Sequence, residues 1–258
     1  MALLAEYHWL ALLLVAPFVG SFLGLLIVRL PAGRPVVTGR SACEACGRVL
    51  GPAELVPVAS WLMRRGRCAA CGARLHWAYP AVEVAALGIA AWSLAVVPGW
   101  LAWPSAALGW ALLVLAAIDA RHLTLPDAVS LPLIAGGLIL AGALDPARLP
   151  EHLIGAALGF LLVVGLRRVW LRLRGREAIG LGDARLLAAA GAWLGWAGLP
   201  SVILLAAGAG LLAWLALLPA ARRRGEDAWA AAARELPFGP FLAGAFWLVW
   251  LYGPLIPA

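Results

Sequence analysis

The chain has 258 residues, of which 64% are hydrophobic and only 13% charged, with a mean hydropathy of +0.93. A soluble domain carries roughly 25% charged residues, so there are too few charges here to cover a water-soluble core, and the solvent for most of the chain must be lipid. All 20 basic residues are arginine and the net charge is +7; in a membrane chain such residues mark cytoplasmic loops, and no nucleic-acid partner is expected.

Counted against the roughly 20 residues that cross the hydrocarbon, eight apolar segments read as transmembrane helices, at about 9–28, 80–97, 100–118, 128–144, 152–170, 184–198, 200–218 and 238–256. The sixth is short and Gly-rich, and only Gly198-Leu199-Pro200 separates it from the seventh. The first segment has no basic residue before it, runs long, and is followed by Arg29; it reads as a retained helix and not as a signal peptide. The expected fold is all-α, a polytopic integral membrane protein. If the segments alternate direction, Arg148 alone lies on one side and the other 19 of the 20 arginines on the other. The positive-inside rule then places both termini outside and the odd-numbered loops in the cytoplasm.

The loop after the first segment holds all four cysteines, as Cys43-x-x-Cys46 and Cys68-x-x-Cys71. Paired CxxC turns aim two thiolates each at one point, the pattern of a tetrahedral Zn²⁺ site. Gly47 and Gly72 follow the pairs where a tight turn needs them, and Arg40, Arg48 and Arg67 favour thiolate over thiol. Two disulfides, redox chemistry or four unliganded thiols are the alternatives; a reducing cytoplasmic location argues against disulfides. Four thiolates close the tetrahedron, so such a zinc staples the loop and does not catalyse.

An acid at the centre of a span costs about 2.5–3.5 kcal/mol on insertion scales, which singles out Glu83, Asp119, Asp127 and Asp183. The other nine, Glu6, Glu44, Glu54, Asp145, Glu151, Glu177, Glu226, Asp227 and Glu235, read as solvated. Asp119 ends the third span, where a carboxylate opposes the helix dipole; an ion pair with Arg121 or Arg185 is one reason for it. Asp127, after Pro126, reads as an N-cap, and Asp183, after Gly180-Leu181-Gly182, has the same alternative. Glu83 sits one turn into the second span, within reach of an arginine. By topology Asp119 and Asp183 share the cytoplasmic edge. Two neighbouring carboxylates share one proton, which supplies a base to activate water and an acid for the leaving group. Glycines beside Asp183 let a substrate backbone pass close. No serine has a clear histidine partner, which leaves Ser-type hydrolysis without a base. A transporter with a carboxylate proton relay and a zinc-anchored scaffold without chemistry are the rival readings.

Taken in order, Gly20-Ser21-Phe22-Leu23 through Arg29-Leu30-Pro31, the cysteine loop up to Tyr79-Pro80 and Glu83, Asp119 with Leu125-Pro126-Asp127, Gly180-Leu181-Gly182-Asp183, and Pro237-Phe238-Gly239-Pro240 resemble the prepilin peptidase (type IV leader peptidase) family of GxGD-type membrane aspartic proteases. The chain departs from that pattern at Gly24, at Arg185, at His76-Trp77-Ala78 and in lacking a proline after Cys43. The resemblance implies Asp119 and Asp183 as the catalytic pair, with Gly180, Gly182, Glu83, Asp127, Pro237 and Gly239 in support. It implies cleavage of type IV prepilin and pseudopilin leader peptides at the cytoplasmic face of a bacterial inner membrane. It also implies N-methylation of the new N-terminus from S-adenosylmethionine, although no strand–GxGxxG–helix unit is visible to hold that cofactor; a peptidase without this second activity is the alternative. Methylation is expected near Glu83 and the cysteine loop. The implied organisation is a first transmembrane helix over 1–29, a zinc-binding cytoplasmic loop over 30–77, and a membrane-embedded peptidase domain over 78–258.

Overall fold

The structure is a computed structural model that describes residues 7–36, 38, 40–175, 180–223 and 236–255. Glu6, Glu177, Glu226, Asp227 and Glu235, expected to be solvated, lie outside the described residues. Among the described residues, eight helices of 14 residues or more overlap the eight expected segments: α1 His8–Arg29, α2 Ala78–Val96, α3 Ala102–His122, α4 Asp127–Leu144, α5 Leu149–Arg174, α6 Leu181–Leu194, α7 Leu199–Arg223 and α8 Gly239–Tyr252. Among the described residues there is no strand, only two isolated bridges in the cysteine loop. Six of the helices are long and apolar enough to cross a membrane, and this is a multi-pass membrane protein. Helices α6 and α8 have 14 residues each. At about 1.5 Å per residue they fall short of the roughly 30 Å of hydrocarbon. For α6 the reason is burial: Ala184 and every residue from Leu186 to Trp193 are buried, so protein surrounds it where a span would meet lipid.

The chain divides into two compact units, Met1–Trp110 and Ala111–Ala258. In the first, α1 packs on α2 through Gly20, where a Cβ would come within 2.6 Å of the Glu83 Cα. The Trp110 indole donates to the Ala86 carbonyl at 2.9 Å. In the second, α5 and α6 touch backbone to backbone through Gly155, Gly159 and Gly191, with no room for a side chain at any of the three. This is the small-residue packing that membrane helices use in place of hydrophobic burial. The Trp193 indole ties α6 to α4 by donating to the Leu133 carbonyl at 2.8 Å.

Candidate active site and cysteine cluster

Asp119 lies in the last turn of α3, which ends as Leu123 adopts a left-handed backbone, φ 53°. The carboxylate is 6% exposed. Its partner is not Arg121 or Arg185 but a backbone amide: Gly239 N–H donates to Asp119 Oδ2 at 2.8 Å. Gly239 is the first residue of α8, so Asp119 opposes the dipole of its own helix yet sits at the positive end of another. A Cβ on residue 239 would come within 2.6 Å of Asp119 Oδ2 and 2.8 Å of its Cγ, which only glycine avoids.

Asp183 is the third residue of α6, and Gly180 is the N-cap. The Asp183 carboxylate lies beside Gly180, its Oδ2 3.8 Å from where a Cβ on that residue would stand. Each aspartate thus stands beside a glycine at a helix start, Asp119 held by the Gly239 amide, and the two carboxylates lie within electrostatic range of one another. Gly182 does not serve as an open passage for a substrate: a Cβ there would come within 2.8 Å of the Leu125 Cβ, so this glycine seats the loop before α4 against α6. Asp127 is not an N-cap. Pro126 holds that position, Asp127 is the first helical residue, and its Oδ1 pairs with Arg185 Nη1 two residues beyond Asp183. Pro237 precedes α8.

Glu83 is 8% exposed in α2. Sequence suggests an arginine as its partner; the structure supplies the Val58 amide, 2.7 Å from Oε2. Val58 sits at φ 58°, ψ −52°, the centre of a γ-turn that is rare for any residue and rarer for a β-branched one.

The cysteine loop folds as two matching turns. Gly47 N–H returns to the Cys43 carbonyl at 2.8 Å and Gly72 N–H to the Cys68 carbonyl at 3.0 Å, each glycine at φ +70°. The four sulfurs lie within 4.8 Å of one another, with Cys43 Sγ and Cys71 Sγ 3.8 Å apart. A tetrahedral site with metal–sulfur bonds near 2.3 Å needs sulfurs about 3.8 Å apart, so the cluster fits a metal ion and contains no disulfide. The amides of Cys71 and Ala70 bring the Cys68 thiol down to about 6, while Cys71, despite the Ala73 amide, is pushed up to about 11 by burial and neighbouring thiols.

Four acids expected to be solvated are engaged, one of them Asp145, whose Oδ1 accepts from the Ala147 amide at 3.1 Å. Glu54 takes Arg48 and Arg64 on one oxygen and the Gly51 amide on the other, which holds its carboxyl below the usual range, the amide first and the arginines after it. Glu44 accepts from the Tyr79 hydroxyl at 3.1 Å, and Glu151 pairs with Arg148 at 3.0 Å. An arginine six or ten residues from Glu54 was the available signal, but spacing in a loop does not predict contact.

Residues 14–97 match the model of the bacterial peptidase A24 N-terminal domain, and residues 106–215 that of the type IV leader peptidase family. Proteins named prepilin leader peptidase/N-methyltransferase are similar along nearly the whole chain. The one from Aeromonas hydrophila is 35% identical over 99% of this chain and 97% of its own. That from Dickeya chrysanthemi is 38% identical over 93% and 92%, and that from Burkholderia pseudomallei 42% identical over 83% and 67%. No solved structure matches the chain. On the family models and these identities together, the chain belongs to the type IV leader peptidase family.

Proposed function

We propose that the protein cleaves the leader peptides of type IV prepilins and pseudopilins with Asp119 and Asp183, and methylates the N-terminus so exposed. The observation that carries the reading is the pairing itself: two carboxylates from separate helices lie within electrostatic range, each beside a glycine at a helix start, with Asp119 held by the Gly239 amide. A carboxylate takes a proton from water as the water oxygen attacks the scissile carbonyl. The partner acid gives its proton to the leaving nitrogen as the C–N bond breaks. The Gly239 amide fixes one oxygen of Asp119 and leaves the other to handle protons.

The substrate implied by the family is a short basic leader followed by a long apolar helix. Such a precursor lies with its leader in the cytoplasm and its helix in the bilayer, so the bond to be cut is at the cytoplasmic interface. The arginine distribution supports putting the end of α3 and the start of α6 at that same level, with eight crossings and both termini outside, and the family resemblance points to a bacterial inner membrane. Zinc is the metal that the paired CxxC pattern and tetrahedral four-thiolate geometry favour, and its role is to fix the loop. The methyl donor is S-adenosylmethionine, which supplies an electrophilic methyl group to the new amine.

The test is purified, zinc-loaded protein with a full-length prepilin and S-adenosylmethionine, read by mass spectrometry. The reading requires loss of the leader and gain of one methyl on the mature product. An intact precursor under these conditions rejects it.

A further inference from the structure

We infer that Glu54 is a positioning residue for the four-cysteine centre: it joins the two CxxC turns to one another and seats the Arg48 guanidinium beside the sulfurs. This rests on the zinc assignment proposed above. The four sulfurs lie within 4.8 Å of one another, yet they come from two separate turns. Cys43 N–H donates to the Arg48 carbonyl at 2.9 Å and Cys68 N–H to the Ala73 carbonyl at 2.9 Å, with bridges at Ala42–Val49 and Arg67–Arg74. Each of these bonds closes one turn upon itself, so the spacing between the turns needs another tie.

Glu54 makes that connection. It ends a short 3-10 helix, Pro52–Glu54, that follows the first turn. Gly51 N–H donates to its Oε2 at 2.8 Å, which fixes one side of the carboxylate. Oε1 takes Arg48 Nη2, from the chain leaving the first turn, and Arg64 Nη1 at 3.3 Å, from the chain entering the second. Arg64 is itself tied to that second turn. Its carbonyl accepts from Arg67 N–H at 3.1 Å, and Leu75 N–H returns to the Gly66 carbonyl at 2.7 Å. The Glu54 side chain is 9% exposed beneath arginines that are 40% and 34% exposed. An acid withdrawn this far from water keeps its charge only while its partners stay in place, so one carboxylate holds the spacing of both turns.

The same contact places a charge. A divalent ion held by four thiolates is a dianion, and a fixed cation beside it favours the metal-bound form over protonated thiols. Arg48 follows the first turn but lies within electrostatic range of the Cys68 sulfur in the second. Its ion pair with Glu54 keeps the guanidinium from turning out to water. Groups that orient a metal site from outside its ligand set are worth about 10- to 100-fold in metal affinity. The rival is an ordinary surface ion pair, which adds a little stability and leaves the metal unaffected.

The experiment measures zinc affinity of the full-length protein in detergent, by competition with a chromophoric chelator, for wild type, Glu54→Gln, Arg48→Gln, Arg48→Lys and the double variant Arg48→Gln with Glu54→Gln. Glu54→Gln keeps an acceptor for the Gly51 amide and removes the charge. It and Arg48→Gln should each lower the affinity by about tenfold or more. The double variant should be little worse than either single, because both act through one guanidinium. Arg48→Lys, which keeps the cation, should recover most of the loss. Melting temperatures of the zinc-saturated variants identify any that fail to fold; if Glu54→Gln is one, the two substitutions at the exposed Arg48 decide alone. Wild-type affinity in folded Glu54→Gln or Arg48→Gln, losses that multiply in the double variant, or equal affinities of Arg48→Lys and Arg48→Gln overturn the proposal while leaving the zinc assignment intact. Wild type that takes up no zinc overturns both.

Discussion

The amide of Gly239 donates to Asp119 Oδ2 at 2.8 Å, and a Cβ on residue 239 would sit 2.6 Å from that oxygen. A helix that begins more than a hundred residues later in the chain therefore sets the orientation of this aspartate. In Gly239→Ala the carboxylate must turn away and lose its donor. A misplacement of this kind costs up to about 100-fold in rate, with little change in melting temperature. Prepilin cleavage kinetics check it, and full activity in Gly239→Ala would show that this contact does not orient the catalytic group.

Asp127 and Arg185 join the start of α4 to the start of α6, beside Asp183. Both are partly exposed, 52% and 28% for their side chains, so the pair is worth about 1 kcal/mol at most. Asp127→Asn and Arg185→Gln should each slow cleavage a few-fold, and the double variant should be little worse than either single. A double-mutant cycle measures the coupling. Complete loss in Asp127→Asn would move it into the catalytic pair.

The long apolar helices and the paired cysteine turns were legible because each rests on a local rule, about 20 apolar residues per span and i, i+3 thiol spacing. Asp119 and Asp183 were singled out by the cost of acids at the membrane edge, and by resemblance. What sequence left open was partner choice. Asp119 accepts from Gly239 and not from an arginine, Glu83 accepts from the Val58 amide, and Arg185 pairs with Asp127. These are contacts between distant segments or between backbone and side chain, and no spacing announces them. Gly182 was read as an opening for substrate because glycine permits close approach; the approaching group is Leu125. The 14-residue α6 looked like a weak span for the reason that makes it short, since its residues are buried in protein.

Metal removal should act on the loop before it acts on the aspartates. Purified protein should carry one zinc per chain, bound by Cys43, Cys46, Cys68 and Cys71. The ligands must be thiolates, so zinc affinity should fall as the pH is lowered, proton competition sharpening as it approaches the Cys68 value of about 6. Metal analysis across a pH series, with a strong chelator as reference, checks both statements. Well below one zinc per chain at neutral pH would contradict the assignment.

Sidedness follows from the arginine count. A reporter cysteine at position 121 should react with impermeant reagents only from the cytoplasm, and one at position 148 only from outside. Both reacting from the same side would remove the eight-crossing topology, and labelling of 121 from outside would put Asp119 in the wrong compartment for leader cleavage.

The most direct measurement uses Asp119→Asn and Asp183→Asn, each purified with its zinc, against a full-length prepilin. Neither side chain can then serve as acid or base, and general acid–base catalysis contributes about 100- to 10,000-fold. Both variants should fall by that factor while melting temperature, zinc content and S-adenosylmethionine binding stay at the wild-type level. Retention of wild-type cleavage by either folded variant would contradict the two-aspartate mechanism.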